Sequence, residues 1–110
     1  MTISLRQDRM GRTLGFGLIG YGAVAGMHAR ALQAIEGVRF VGVAGRNGDK
    51  AAAFAEKYGG GMAAYGDVAE LLKRDDVDVV VIATSSGSHA AYAEAALEAG
   101  KHVVVEKPLA

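Results

Sequence analysis

Short apolar runs alternate with segments of helical periodicity along most of the chain. The first run, Leu14 to Ile19, is continuous and ends in the glycine-rich turn Gly20-Tyr21-Gly22, a combination that is typical of a buried strand. After this turn, apolar residues recur at helical spacing, which predicts a helix over about residues 23–35. The chain therefore opens with a strand followed by a helix.

The same alternation continues to the end of the sequence. It predicts strands at residues 39–44, 62–65, 77–82 and 102–105 and helices at residues 51–58, 68–73 and 89–99. The run Val79–Val81 lacks polar alternation, which indicates a strand covered on both faces. Asp67 and Glu70 have the spacing of a capping box. We predict an α/β fold: a Rossmann-type, doubly wound parallel sheet of about five strands in the order 3-2-1-4-5.

Composition is consistent with one globular domain. Hydrophobic residues make up 51% of the 110 residues, and 12 Lys+Arg balance 12 Asp+Glu, which excludes disorder and gives no electrostatic basis for binding nucleic acid or a membrane surface. No apolar run reaches the ~18 residues of a membrane-spanning helix, so we expect a cytoplasmic protein. A flexible tail is expected over residues 1–12 and the domain over residues 13–110. The absence of Cys excludes thiol chemistry.

The loop after the first strand has the spacing of a dinucleotide-binding fingerprint. Gly20 and Gly22 occupy the first two positions of G-x-G-x-x-A, where a Cβ would obstruct the tight turn or the pyrophosphate. Ala25 occupies the third position, where a small residue serves close helix packing. The first amides of the following helix can bind that anion. We predict cofactor contacts from Gly20, Tyr21, Gly22, Ala23, Val24 and Ala25. The alternative is a turn with a purely structural role.

The end of the second strand lacks the acidic residue that usually binds the ribose of NAD. In NAD-binding domains this residue stands about 20 positions beyond the glycines. Gly45 and Arg46 stand there instead, and a guanidinium can bind a 2′-phosphate in a bidentate way. The sequence therefore favours NADP over NAD. The alternative is that Arg46 is solvated and that Asn47 binds the ribose of NAD.

Lys107 is the candidate catalytic residue. It follows the last strand, beside Glu106 and before Pro108, and a buried lysine can relay a proton to or from a substrate oxygen. The alternative is a solvated Glu-Lys pair. His89 begins a helix at the ligand-binding edge, whereas His28 lies inside the first helix and is expected to pack there. No histidines have metal-ligand spacing, so no metal site is predicted.

Two long segments, GLIGYGAVAGMHARAL and DVDVVVIATSSGSHAAYAEAALEAGKHVVVEKPLA, carry a family resemblance. They resemble the N-terminal domain of the glucose-fructose oxidoreductase, inositol dehydrogenase and rhizopine-catabolism (Gfo/Idh/MocA) family of NAD(P)-dependent oxidoreductases. The resemblance implies that Lys107 transfers a proton or orients the substrate, that Glu106 lies beside the nicotinamide ribose, and that the bond before Pro108 is cis. It also implies that the cofactor is bordered by Ala83, Thr84, Ser85 and His89.

The family resemblance further implies hydride transfer to or from a hydroxyl or carbonyl of a sugar, polyol or sugar derivative. In that family a C-terminal domain binds the substrate and forms the oligomer interface, and this sequence ends at Ala110 without such a domain. We therefore expect the chain to bind a pyridine nucleotide with little turnover of its own, and we expect its exposed surfaces to allow a homo-oligomer. The segment Thr84–Gly87 departs from the A-T-P pattern common in the family, which leaves the conformation of this loop open.

Two other functions remain open on the sequence alone. One is a non-catalytic module that senses NAD(P), although phosphate binding would not require Lys107. The other is a domain that binds S-adenosylmethionine, where an acidic residue would be expected in place of Gly45 and Arg46.

Overall fold

A five-stranded parallel sheet forms the centre of the protein, which is represented by a computed structural model describing residues 14–59, 61–84 and 89–105. The strands are β1 (Leu14–Ile19), β2 (Val38–Ala44), β3 (Ala63–Tyr65), β4 (Val79–Ile82) and β5 (His102–Val105). Their order is β3-β2-β1-β4-β5, and every neighbouring pair is parallel. The predicted doubly wound sheet is thus confirmed. The predicted tail, residues 1–12, lies outside the described residues.

Helices connect the strands and cover both faces of the sheet. They are α1 (Ala23–Gln33), α2 (Gly48–Tyr58), α3 (Val68–Leu72) and α4 (His89–Glu98). On one face, buried residues of α1 and α2 such as Leu32 and Phe54 pack with Phe16 and Leu18 of β1. On the other face, Leu71 of α3 packs with Ile19 of β1 and other residues of the central strands. The strands β1 and β4 are apolar without interruption, as expected for strands buried on both faces.

The largest departure from the predicted bounds is at the start of α2. This helix begins at Gly48, three residues before the predicted start, because the side-chain oxygen of Asn47 accepts a hydrogen bond of 3.1 Å from the amide of Lys50. Asp67 caps α3 as predicted, but its carboxylate accepts from the amide of Ala69 at 3.0 Å rather than from the amide of Glu70. Apolar side chains remain exposed on the last strand and the last helix, where Val105 is 43% exposed and Leu97 62%.

Backbone hydrogen bonds draw the carboxyl ends of the strands together. The Gly20 amide donates to the carbonyl of Ala44 at 2.9 Å, and the Ala83 amide donates to the carbonyl of Ile19 at 2.9 Å. The Gly45 amide donates to the carbonyl oxygen of the last residue of β3 at 3.2 Å. The loops after β1, β2 and β4 therefore meet at one edge of the sheet, where ligands bind in doubly wound folds.

Candidate functional site

A cleft of about 520 Å³ opens where these loops meet. Loops after three strands and the first turns of α2 and α4 form its walls. Its lining residues are Gly20, Tyr21, Gly22, Gly45, Arg46, Lys50, Ala83, Thr84 and Tyr92. The structure therefore brings together six of the residues predicted to contact a cofactor: Gly20, Tyr21, Gly22, Arg46, Ala83 and Thr84.

Gly20 is required by the fold itself. Its φ of 113° lies in a region that residues with a side chain rarely adopt, and a Cβ would approach the carbonyl oxygen of Ala83 to 2.7 Å. This close approach lets the loop after β1 lie directly against the loop after β4. The first glycine of the fingerprint thus sets the shape of the cleft floor.

Gly22, by contrast, is not required by anything the structure describes. As the N-cap of α1 it has φ −84° and ψ −170°, which any residue can adopt, and a Cβ would meet no atom within 4 Å. No side chain among the described residues caps α1, and its first turn contains no acidic residue. The start of α1 thus combines free space with amides and a positive dipole end, which fits a bound pyrophosphate.

The next residues of the fingerprint form the start of α1. Ala23 and Val24 are its first two residues, and Ala25 is fully buried in the core, which is the close helix packing that the third position serves. Ala25 does not line the cleft. Sequence reasoning missed a second close approach, because a Cβ on Gly26 would overlap the hydroxyl of Tyr58. The helices α1 and α2 therefore cross closely at this point.

The loop after β2 is held against Tyr21. The Tyr21 hydroxyl accepts a hydrogen bond of 3.2 Å from the amide of Asn47, and the Tyr21 ring fills the space beside Gly45. Because the side-chain oxygen of Asn47 accepts from the amide of Lys50, this oxygen is engaged in capping α2. The amide nitrogen of the Asn47 side chain can still donate a hydrogen bond, so both cofactor alternatives stay open at this residue.

Two exposed cations flank the mouth of the cleft. Arg46 extends from the loop after β2, and Lys50 stands in the first turn of α2. The pair can provide charge-assisted hydrogen bonds to an anion. Sequence reasoning missed Lys50, although the asparagine three residues before it is a common helix-capping residue and could have placed it in the first turn.

Tyr92 is the second lining residue that sequence reasoning missed. It stands in the first turn of α4, and its side chain lines the cleft. His89 begins α4 as predicted, and nothing is described of its side chain. His28 is buried on α1, 7% exposed, as expected for a packing residue.

Several predicted residues lie outside the described ranges. They are Ser85, Glu106 and Lys107, together with the bond before Pro108. The described residues contain no group of three or more His, Asp or Glu side chains that could hold a metal ion. None of the described helices is long and apolar enough to span a membrane.

Comparison with known proteins identifies relatives of the chain. Residues 14–110 match the model of the GFO_IDH_MocA family, described as an oxidoreductase family with an NAD-binding Rossmann fold. A 4-carboxy-2-hydroxymuconate-6-semialdehyde dehydrogenase from Sphingobium sp. is 44% identical over 93 residues, which cover 84% of this chain and 29% of the relative. Inositol 2-dehydrogenase from Salmonella typhimurium is 39% identical over 99 residues, which cover 89% of this chain and 30% of the relative.

Solved structures show the same architecture with either nucleotide bound. A 3-ketoreductase from Actinomadura kijaniata, in complex with NADP and TDP-benzene, has a TM-score of 0.81 and 35% identity over 89% of this chain and 31% of its own. Myo-inositol dehydrogenase from Lactobacillus casei, in complex with NAD(H) and myo-inositol, has a TM-score of 0.81 and 30% identity over 89% of this chain and 29% of its own. The chain thus spans less than a third of the length of these relatives.

Proposed function

Because this chain belongs to the Gfo/Idh/MocA oxidoreductase family with the NAD-binding Rossmann fold, we propose that it is the nucleotide-binding part of a dehydrogenase or reductase. The enzyme transfers a hydride between NADP and a hydroxyl or carbonyl carbon of a sugar, polyol or sugar derivative. The observation that carries this proposal is the cleft in which the uncapped start of α1 faces Arg46 and Lys50. When bound, the nicotinamide supplies or accepts the hydride.

Each end of the cleft has a distinct role in the proposed binding mode. The open space at Gly22 admits the pyrophosphate, which accepts hydrogen bonds from the first amides of α1. Arg46 and Lys50 bind the 2′-phosphate of NADP, a group that NAD lacks. Ala83 and Thr84 border the half of the cofactor that carries the nicotinamide. The absence of an acidic side chain at residue 45 supports the preference for NADP.

We assign proton transfer to Lys107, whose Nζ donates to or accepts from the substrate oxygen as the hydride moves. The sheet register supports this assignment. Val105, the last residue of β5, pairs with Ile82, and Ala83 then lines the cleft. The chain therefore leaves β5, two residues before Lys107, beside the wall that borders the nicotinamide half. Glu106, Ser85 and His89 are proposed to border the nicotinamide and its ribose.

The names of the relatives support the substrate class. They include inositol dehydrogenases, a semialdehyde dehydrogenase and a 3-ketoreductase, whose names imply chemistry at a hydroxyl or carbonyl carbon. Because this chain covers less than a third of their length, substrate binding is proposed for the whole enzyme. A polyol such as myo-inositol is therefore the first substrate to test.

Nucleotide binding is tested by thermal unfolding of the chain with NADPH, NADH or S-adenosylmethionine. A ligand that binds only the folded state raises the midpoint by mass action, by an amount that grows with concentration over Kd. We expect a larger rise with NADPH than with NADH and no rise with S-adenosylmethionine. A rise with NADH alone would overturn the NADP preference, and no rise with either nucleotide would overturn the whole proposal.

Catalytic competence is tested in a chimera that joins this chain to the remaining part of the Salmonella inositol 2-dehydrogenase. We expect oxidation of myo-inositol, followed as reduced nicotinamide, and loss of turnover with intact nucleotide binding in the Lys107→Ala variant. Lys101→Ala is the matched control, because the Lys101 Nζ donates to the carbonyl of Arg74 at the opposite edge of the sheet. Turnover that survives Lys107→Ala would refute the catalytic assignment. A chimera that binds nucleotide without turnover, while the parent enzyme is active, would favour a sensing module.

A further inference from the structure

Tyr21 occupies the space that a side chain on residue 45 would need. A Cβ built on Gly45 would overlap the Tyr21 ring, with ring atoms Cδ2 and Cζ at 2.8 and 2.9 Å. Gly45 is buried, yet its backbone is outside the left-handed region. The backbone therefore does not demand glycine at this position, and the aromatic ring does.

The location of Gly45 gives this contact a consequence for ligand recognition. Gly45 is the first residue after β2, where dinucleotide-binding domains carry the acidic side chain that binds the ribose of NAD. An acidic side chain at this position and the Tyr21 ring in its observed place exclude each other. Within this cleft, a ring from the glycine loop occupies the Cβ position of the residue that is acidic in NAD-specific domains.

Tyr21 also fixes the loop that carries Arg46. Its ring covers Gly45 on one side of Arg46, and its hydroxyl accepts from the amide of Asn47 on the other side. Asn47 in turn caps α2 through the amide of Lys50. A single side chain therefore anchors both neighbours of Arg46 and, through Asn47, the helix turn that carries Lys50.

We propose that Tyr21 and Gly45 act as a pair that sets the cofactor preference. The ring excludes an acidic ribose-binding residue and holds Arg46 and Lys50 where they meet a 2′-phosphate. Tyr21 is in this role a positioning residue. The inference rests on the proposed preference for NADP. It adds an explanation of why a substitution at residue 45 alone cannot change that preference to NAD.

The test is a double-mutant cycle on this chain with Gly45→Asp, Tyr21→Ala and both together. NADPH and NADH are titrated against each variant, and thermal unfolding is measured without nucleotide. We expect Gly45→Asp alone to lower the unfolding temperature and to weaken the binding of both nucleotides, because the Tyr21 ring must be displaced. Tyr21→Ala alone should lower the NADPH to NADH affinity ratio about fivefold through the loss of one hydrogen bond to the loop.

The double variant carries the decisive result. With the ring removed, the carboxylate introduced by Gly45→Asp can reach the ribose. NADH should therefore bind about tenfold more tightly than to the Gly45→Asp variant alone, and the preference should invert. If Gly45→Asp shifts the affinity ratio equally with and without Tyr21, the two positions are independent and the inference fails.

A milder series keeps the test valid if Gly45→Asp does not fold. Gly45→Ala should lower the unfolding temperature in the presence of Tyr21 and have little effect after Tyr21→Ala. The matched control is Gly26→Ala with and without Tyr58→Phe, since a Cβ on Gly26 overlaps the Tyr58 hydroxyl and neither residue lines this cleft. In the control, the two substitutions should have non-additive effects on stability and leave the NADPH to NADH affinity ratio unchanged. If the control changes this ratio as much as the Tyr21 and Gly45 variants do, the inference is wrong.

Arg46→Ala separates the failure of this inference from that of the proposed function. If this variant leaves the affinity ratio of the parent chain unchanged, the proposed binding of the 2′-phosphate is wrong, and the pair has nothing to position. If it abolishes the NADPH preference while the cycle shows independent effects, only the role of the pair is wrong.

Discussion

The two ends of the sheet use arginine in opposite ways. At the amino end, Arg74 donates to both carboxylate oxygens of Asp76, at 2.7 and 2.6 Å, and its Nη1 donates to the Tyr65 hydroxyl at 2.9 Å. At the carboxyl end, Arg46 is exposed at the cleft mouth, and no described residue forms an ion pair with it. The contrast shows which cation stabilises the chain and which is available to a ligand.

Backbone amides at the start of β1 and at the start of α1 also differ in whether the protein supplies their partners. At the amino end, the Gly15 amide donates to the carboxylate of Asp78 at 2.8 Å, so the start of β1 is closed by a side chain of the protein. At the carboxyl end, the first amides of α1 have no side-chain cap among the described residues. At the carboxyl end, α2 and α3 are capped by Asn47 and Asp67, so of these three helix starts it is α1 whose amides remain available to an anion.

Filling the space at the start of α1 should have the largest effect on nucleotide affinity. Gly22→Asp places a capping carboxylate at the start of α1, so we expect nucleotide affinity to fall about 100-fold or more through charge repulsion and lost space. Thermal stability without nucleotide should be unchanged or higher. Titration of NADPH, with Gly22→Ala as the control for the added Cβ alone, measures the effect. Unchanged affinity in Gly22→Asp would mean that the pyrophosphate does not bind at this helix start.

Removing each of the two arginines in turn should have the next largest effects, on affinity for Arg46 and on stability for Arg74. Arg46→Ala should lower NADPH affinity about 10- to 100-fold, the range for a charge-assisted hydrogen bond, and leave NADH affinity and stability nearly unchanged. Arg74→Ala should do the reverse, lowering the unfolding temperature without changing either affinity. Equal effects of both substitutions on affinity would contradict the division between the two ends.

Removing the cap of α2 tests how much the hydrogen bond between Asn47 and the Lys50 amide contributes to the free energy of unfolding. Asn47→Ala should lower the free energy of unfolding by about 1 kcal/mol, measured by urea denaturation. Asn47→Asp is the control, because its carboxylate can still accept from the amide of Lys50. A loss of stability as large in Asn47→Asp as in Asn47→Ala would show that capping is not the reason.

The ion pair between Arg74 and Asp76 at the amino end should give the smallest effect on stability. The Arg74 guanidinium lowers the pKa of Asp76 through its hydrogen bonds, so the folded state favours the ionised carboxylate. The stability that this provides is present above the ordinary aspartate pKa and is lost as pH falls through the lowered one. Because Asp76 is exposed and Arg74 only partly buried, Asp76→Asn should cost only about 0.5 kcal/mol near neutral pH. A cost that persists at the same size in strong acid would argue against the ion pair.

Much of the fold was predictable because periodicity reports burial. The uninterrupted apolar runs of β1 and β4 indicate strands covered on both faces, and the glycine spacing places the cleft at the end of β1. The contact between Tyr21 and Gly45 was not predictable in the same way. It joins residues from two different loops, and their relative direction depends on strand register and on how far β1 and β2 extend.

The start of α2 illustrates a second limit. An alanine-rich segment indicates a helix, but the helix begins earlier, with Gly48 and Asp49, two residue types of weak intrinsic helix preference. The cap from Asn47 adds this turn, and with it Lys50 reaches the cleft. The placement of the second cation at the cleft mouth, Lys50, therefore depends on one side-chain hydrogen bond that composition does not reveal.

The exposed apolar surface of α4 and β5 bears on how the chain behaves in concentrated solution. Leu97 and Val105 remain accessible, and β5 is the last strand of the described sheet, with an outer backbone edge that no described strand pairs. The formal net charge of the sequence at pH 7 is zero, so little long-range repulsion keeps two molecules apart. Colloidal stability should therefore be lowest near neutrality, and light scattering should show fewer aggregates as the buffer moves to either side of it.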